Sequence, residues 1–295
     1  MKKFFLIDGF AFLYRAYYAF PEMRNAQGKN VNAVFGFLRM MMRRLAKRPE
    51  YFVIARDSPA KTFRHELFED YKANRKKMDD DFRDQIPMIH QMVNELQIPT
   101  LAMPGYEADD LLASLIRTYQ GQPDLSLSLF SGDKDLKQVL TDGVAVIDPV
   151  KDQPYQKADF IQEFGFEPPF IVDYLALLGD SADNVKGVPG IGEKKALYLV
   201  QTYQTIETIY THLEELDPSL SRILAEGKES AFASKKLIQL VQVDLSNVSL
   251  DTFKLNLEYD HAIHSLCDIH GFQGLRKVLT EMKKEATMPQ QLGLF

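Results

Sequence analysis

Short apolar runs alternate with segments of helical periodicity through the first half of the chain. Phe4-Phe5-Leu6-Ile7, Tyr51-Phe52-Val53-Ile54-Ala55, Thr100-Leu101-Ala102-Met103, the run from Leu125 to Phe130 and Val144-Ala145-Val146-Ile147 all read as buried strands. Between them, apolar positions recur at helical spacing: around Leu13, Tyr14, Tyr17 and Tyr18, over Val31 to Leu45, over Phe82 to Leu96, and at Leu111, Leu112, Leu115, Ile116 and Tyr119. That alternation predicts βα units and an α/β fold with a mostly parallel sheet flanked by helices. From about Pro168 the pattern is helical to about Ala286, with a break near Asp244 to Asp251. The expected organisation is an α/β domain over residues 1–167, an all-helical domain over 168–287 and a mobile tail over 288–295.

Composition narrows the class. The 295 residues are 45% hydrophobic and 26% charged, ordinary for a soluble globular chain. No apolar run would cross a bilayer, and Met1-Lys2-Lys3 leads into a strand-like run without a signal-peptide pattern, so no membrane association is expected. A single cysteine, Cys267, excludes an internal disulfide and fits a reducing cytoplasm, the expected location. The net charge of −6 argues against a general nucleic-acid binder, but the charge is segregated. Arg39, Arg43, Arg44, Lys47 and Arg48 form one basic run and Lys61, Arg64, Lys72, Arg75, Lys76 and Lys77 another, while carboxylates gather at the ends of apolar runs.

The densest carboxylate group is in Gly105-Tyr106-Glu107-Ala108-Asp109-Asp110-Leu111-Leu112. Glu107 and Asp110, three apart, share a face of a helical first turn, with Asp109 to one side. A helix N-terminus stabilises negative charge, so capping is one reading. One carboxylate would serve for that; a repelling cluster makes sense where cations neutralise it, which is the other reading. Asp8, Asp57, Asp133 and Asp135 each follow an apolar run, and in parallel sheets ligands bind beyond the carboxyl ends of strands. Any one of them alone reads as a turn or cap residue, but together they converge on one acidic cleft. Asp180 and Asp183, again three apart, end an apolar helix over Phe170 to Leu178.

The next stretch is Gly187-Val188-Pro189-Gly190-Ile191-Gly192-Glu193-Lys194-Lys195. Gly190 and Gly192 before a helix leave backbone N–H groups bare at its positive end, which suits phosphate, and Lys194 and Lys195 strengthen that. A plain glycine-rich turn is the alternative.

These motifs resemble the 5′-nuclease (flap endonuclease) family, nearest to the 5′-3′ exonuclease domain that heads bacterial DNA polymerase I. The matching stretches are LIDGFAFLYRAYYAF, RDSPAKTFRHELFEDYKANR, PGYEADDLLASL, SGDKDLKQVL, LLGDSADNVKGVPGIGEKKA and LVQVDLSN, in order over nearly the whole chain. No polymerase portion follows, so a free-standing nuclease is expected. The resemblance implies a PIN-like, Rossmann-like domain with a helical arch over Phe63 to about Asp84, followed by a helix-hairpin-helix domain. It implies metal ligation by Asp8, Asp57, Glu107, Asp109, Asp110, Asp133, Asp135, Asp180 and Asp183, with two or more Mg2+ ions that Mn2+ can replace. It implies that Arg15, Lys72 and Arg75 act beside Asp109 at the scissile phosphate. DNA contacts are expected from Arg64, Lys72, Arg75, Gly190, Gly192, Lys194 and Lys195, and a K+ site from the carbonyls of Lys186, Val188 and Ile191. Arg56 before Asp57 departs from the family pattern, where an apolar residue is expected.

The implied activity is two-metal hydrolysis of phosphodiesters at a 5′ end or 5′ flap, RNA-primed ends included, in replication and repair, by a monomer. Two other classes are weighed: a catalytically silent DNA-binding relative, against which the full carboxylate set argues, and a Mg2+ phosphatase, which would not need the Gly190-to-Lys195 motif or the basic arch. The closing Gln291-Leu292-Gly293-Leu294-Phe295 looks like the short motif by which bacterial replication proteins bind the sliding clamp, with Leu292, Leu294 and Phe295 apolar and Gln291 polar. Folding back onto the domain is the alternative for those side chains.

Overall fold

The computed structural model describes residues 1–255 apart from 26 and 76, together with residues 264, 265, 267, 268 and 272. The first domain runs β1 (Lys2–Asp8), α1 (Gly9–Ala19), α2 (Asn32–Leu45), β2 (Tyr51–Ala55), α3 (Phe63–Leu67), α4 (Asp80–Glu95), β3 (Thr100–Leu101), α5 (Ala108–Tyr119), β4 (Leu125–Phe130), β5 (Val144–Ile147) and β6 (Pro154–Tyr155). The six strands lie in the order β3-β2-β1-β4-β5-β6, parallel except for β6, which pairs antiparallel with β5.

β2, and β1 from Phe4 on, are buried on both faces, which is why their sequences read as continuous apolar runs. Along β1 the side chains alternate: Phe4 and Leu6 pack with α5, while Phe5 and Ile7 pack with α1, α2 and α4. The chain moves outward from β1 to β2 and β3, then returns to the other side of β1 for β4. The strand order therefore switches between β1 and β4, the place where an open parallel sheet leaves a crevice at its carboxyl edge.

Helices follow: α6 (Lys157–Phe164), α7 (Ile171–Leu178), α8 (Glu193–Tyr203), α9 (Ile206–Thr211), α10 (Pro218–Glu226) and α11 (Lys228–Ile238). Ile171, Leu175, Leu199, Val200, Ile206, Leu224 and Leu237 bury their apolar faces in the same core that α5 and β4 line. The two regions thus share one apolar interior. No helix among the described residues is long and apolar enough to cross a membrane.

The two-residue strand β6 is too short to show in the apolar pattern. Helix α4 begins at Asp80 rather than Phe82, because Asp80 and Asp81 sit in its first turn, where negative charge is favoured. Over Phe63 to about Asp84, where the arch is expected, the described residues form the five-residue α3, a series of turns and the start of α4. The basic run on α2 is not a free cationic stripe. Arg44 is fully buried between the rings of Phe12 and Phe130 and pairs with Asp152 at 3.2 Å, and Lys47 also reaches Asp152 at 3.2 Å.

Candidate active site

Asp8 is the last residue of β1 and the N-cap of α1, its Oδ1 accepting from the Ala11 amide at 3.0 Å. Its Oδ2 accepts from the Ser131 hydroxyl at 2.6 Å, so the end of β4 is tied to the end of β1 across the crevice. Ser131 Oγ in turn accepts from the Asp133 amide, and Asp133 Oδ1 from the Asp135 amide. This chain of bonds orders the Ser131-to-Asp135 turn, which carries Asp133 and Asp135, at the end of β4. Asp57, just beyond β2, accepts from the Ala108 amide at 2.8 Å and so ties β2 to the start of α5. Glu107 caps α5 and Asp109 lies in its first turn.

Electrostatics show that these groups share one space. Burial pushes the Asp8 carboxyl up to about 6, with Asp133 and Asp57 adding repulsion against the hydrogen bonds from Ala11 and Ser131. Asp109 is raised well above its ordinary range, first by burial and then by Asp133 and Asp8. Asp133 and Asp135 are raised by burial and by Asp180 and Asp183. Asp133 therefore interacts with Asp8 and Asp109 as well as with Asp135, Asp180 and Asp183.

Three cations answer part of that charge. Lys72 reaches Glu107 Oε1 at 2.7 Å, Arg75 reaches Asp183 Oδ1 at 2.7 Å and Lys134 reaches Asp180 Oδ2 at 3.0 Å. Arg15 is exposed beside this edge, its guanidinium close to Gly132, and its charge helps hold Asp148 below the usual carboxylate range. Among the described residues no three acidic, His or Cys side chains converge on one point. The donor set nevertheless suits hard divalent cations: every candidate is a carboxylate, they repel one another, and Asp135 Oδ1 is buried without a hydrogen-bond partner.

Two expected roles do not survive the geometry. Arg64 is only 1% exposed, so it cannot touch DNA; it is bonded to Asp110 at 2.6 and 2.9 Å and to the carbonyl of Leu237 at 2.7 Å. Asp110 is fully buried, its oxygens accepting from Arg64 twice, from the Val241 amide and from the Glu107 amide. Those four bonds use a carboxylate's lone pairs, which leaves it a structural anchor instead of a metal ligand.

Sequence reasoning missed Ser131, Lys134 and the part played by Tyr71. Tyr71 is buried, its single hydroxyl proton shared between Glu107 at 3.2 Å and Asp183 at 3.3 Å. A serine immediately ahead of Gly132-Asp133 is the one signal that pointed to Ser131.

At the far end, Gly192 is the N-cap of α8 with no side-chain cap, Lys194 is exposed, and Lys195 turns back to the Gly190 carbonyl at 3.1 Å. Val188 and Ile191 are buried, and the Val188 carbonyl accepts from the Ile191 amide at 3.0 Å. Lys186 is exposed over the Phe68 ring. Gln291, Leu292, Leu294 and Phe295 lie outside the described residues.

Comparison with known proteins gives two family matches: a 5′-3′ exonuclease N-terminal resolvase-like domain over residues 3–165, and a 5′-3′ exonuclease C-terminal SAM fold over residues 166–261. The chain is 38% identical over 251 residues to a 5′-3′ exonuclease of Aquifex aeolicus, covering 85% of this chain and 86% of that protein. It is 33% identical to DNA polymerase I of Bacillus subtilis over 99% of its own length but only 34% of the polymerase. Among solved structures, a zinc-bound T5 5′-exonuclease superposes with a TM-score of 0.68 at 19% identity, covering 97% of this chain and 98% of that one. The catalytic core of Rad2 in complex with DNA gives 0.63 at 13% identity, over 98% and 92%. At such identities these two structures speak for the fold.

Proposed function

The chain belongs to the 5′-3′ exonuclease family and is a hydrolytic nuclease, and from that premise we propose that it cuts DNA at 5′ ends and 5′ flaps during replication and repair. The observation that carries this reading is the crowding of carboxylates from β1, β2, β4 and the start of α5 into one crevice, with Lys72, Arg75 and Arg15 at its edge. Asp8, Asp57, Asp109, Asp133, Asp135, Asp180 and Asp183 would hold two Mg2+ ions, with Mn2+ able to substitute. Bound there, such cations neutralise phosphoryl charge and activate water for phosphodiester hydrolysis. Glu107, paired with Lys72 at 2.7 Å, would complete that set.

Lys72 and Arg75 orient the scissile phosphate, since both are cations held at the cleft by carboxylates that a metal can release. Arg15 steadies the same phosphate from the β4 side. Gly190 and Gly192 offer backbone N–H groups to the duplex, with Lys194 and Lys195 adding charge. The carbonyls of Lys186, Val188 and Ile191 are the proposed K+ site. Backbone contacts carry little base information, so the substrate is recognised by its shape, and an RNA-primed 5′ end is accepted. A cytoplasmic location, with which the single cysteine agrees, and a monomeric state are part of the proposal, and Gln291, Leu292, Leu294 and Phe295 are proposed to bind a bacterial sliding clamp.

The deciding experiment is a panel of end-labelled flap, nicked and single-stranded oligonucleotides incubated with Mg2+ or EDTA. Mg2+-dependent release of 5′ products is expected, lost in Asp133→Asn. Binding without cleavage by the wild type would favour the silent relative, and hydrolysis of small phosphate esters alone would favour a phosphatase.

A further inference from the structure

The loop that carries Asp180 and Asp183 is a closed unit. Asp180 and Val185 exchange two backbone hydrogen bonds of 2.7 Å across its base, and Asp180 Oδ1 accepts from the Ala182 amide at 2.9 Å inside it. Next to Val185, Asn184 has φ +59°, a left-handed conformation that asparagine tolerates better than most residues. Facing it is the turn segment from Asp70 to Arg75, in which Lys72 also has a positive φ, +61°. A lysine has no intrinsic liking for that region, so its surroundings must hold it there.

What holds it is mostly uncharged. Asn184 Nδ2 donates to the Asp70 carbonyl at 2.8 Å, Asn74 Nδ2 donates to Asn184 Oδ1 at 3.0 Å, and the Lys72 amide donates to the Asp183 carbonyl at 3.1 Å. These three bonds bracket Lys72 in sequence and fix the segment to the loop on both sides of it. The ion pairs of Lys72 with Glu107 and Arg75 with Asp183 must open for those cations to meet a phosphate, so they cannot keep the segment in place during the reaction. The amide bonds can persist while the charged side chains exchange partners. Turn formation alone would account for Asn184, but a turn residue needs no side-chain bond to a segment 110 residues away in sequence.

We propose that Asn184 and Asn74 are positioning residues: they clasp the Asp70-to-Arg75 segment to the Asp180–Val185 loop and so set where Lys72 and Arg75 meet the scissile phosphate. The clasp rests on the nuclease reading.

The test uses single-turnover cleavage of a labelled 5′-flap oligonucleotide in Mg2+, with flap affinity measured separately in EDTA. Asn184→Gly is the informative variant, because glycine keeps the positive φ and removes only the amide. Asn74→Ala removes the partner. Each is expected to slow the single-turnover rate about tenfold while changing affinity less than about twofold, and the double variant to be about as slow as either single one, because they break one clasp. The bonds are exposed, so the thermal midpoint should stay near that of the wild type. In a Lys72→Ala, Arg75→Ala background, Asn184→Gly should cost almost nothing further. Wild-type rates in the double variant would overturn the proposal, as would an unchanged penalty in that background or a rate loss that simply tracks a lower thermal midpoint. Failure of the wild type to cut any 5′ flap would instead remove the nuclease reading, and the clasp with it.

Discussion

Arg64 and Asp110 face one another as a fully buried ion pair with two parallel hydrogen bonds, of 2.6 and 2.9 Å. The pair joins α3 to α5, and further bonds from Arg64 to the Leu237 and Gln239 carbonyls and from the Val241 amide to Asp110 bring in the end of α11 and the chain that follows it. Removing one partner leaves the other charged and buried, which costs about 3–5 kcal/mol. Arg64→Ala should therefore lower the unfolding free energy by roughly that amount in urea titration, whereas Arg64→Met with Asp110→Leu should cost less. Loss of stability equal to that of an ordinary surface substitution would show that the pair is not the anchor described.

The acidic crevice makes the protein without bound cations sensitive to pH. Asp8 titrates near 6 in the fold against 3.8 ordinarily, and Asp109, Asp133 and Asp135 are shifted upward too, so the folded chain binds protons more readily than the unfolded one. Between about 4 and 6 and somewhat above, these groups make stability fall as pH rises. In EDTA, Asp109→Asn should raise the thermal midpoint at pH 7 by more than at pH 4.5, and Mg2+ should stabilise the wild type more than the variant. Equal shifts at both pH values would mean that Asp109 does not belong to the repelling group.

The crevice itself was legible in the sequence because the apolar runs of β1, β2 and β4 are followed at once or within three residues by Asp8, Asp57 and Asp133. Parallel pairing then brings those ends to one edge without any further information. What the sequence could not reveal was which charged residues turn inward. Arg64 finds Asp110 across 46 residues and the Leu237 carbonyl across 173, and no local pattern encodes either meeting. Arg44 was more accessible: it falls on the same helical face as Phe37, Met41 and Leu45, all buried, so periodicity alone places it inside. Asp110 shares a face with Glu107, as spacing required, yet that face points at Arg64 and the helical region.

Lys72 and the Lys194–Lys195 pair should separate chemistry from binding. Lys72 sits at the cleft, 2.7 Å from Glu107, whereas Lys194 and Lys195 are exposed at the start of α8. Lys72→Ala should reduce the single-turnover rate by about 100-fold with modest loss of affinity. Lys194→Ala with Lys195→Ala should instead weaken duplex binding and flatten its dependence on salt, by about 1 unit of log–log slope for each phosphate no longer neutralised. An unchanged slope in the double variant would remove the α8 motif as phosphate anchor.

The terminal motif makes its own prediction. Short peptides that order on binding give modest affinities, so Gln291 to Phe295 should bind a bacterial sliding clamp with a Kd near the micromolar range, about −8 kcal/mol. Deleting these five residues should abolish that binding in a pull-down or calorimetric titration and leave cleavage of short oligonucleotides unchanged. Equal clamp affinity with and without them would refute the assignment.

Gly179 and Gly187 pack backbone to backbone at the foot of the Asp180–Val185 loop, and neither tolerates a side chain. Both have positive φ, +82° and +64°, and a Cβ on Gly187 would lie 2.4 Å from the Gly179 nitrogen. One on Gly179 would lie 2.8 Å from the Lys186 and Val185 carbonyl oxygens. Backbone cannot yield as a flexible side chain can, so Gly187→Ala must push the two chains apart and carry Asp180, Asp183 and Asn184 with them. Because displacement of about 1 Å at an active site costs on the order of 100-fold in rate, Gly187→Ala should lose at least that much cleavage while its circular dichroism stays helical. Gly143→Ala, which meets nothing within 4 Å and needs no unusual φ, should cleave like the wild type. Cleavage by Gly187→Ala at the rate of Gly143→Ala would mean that the loop tolerates displacement, and that the placement of Asp180 and Asp183 is not what the reaction depends on.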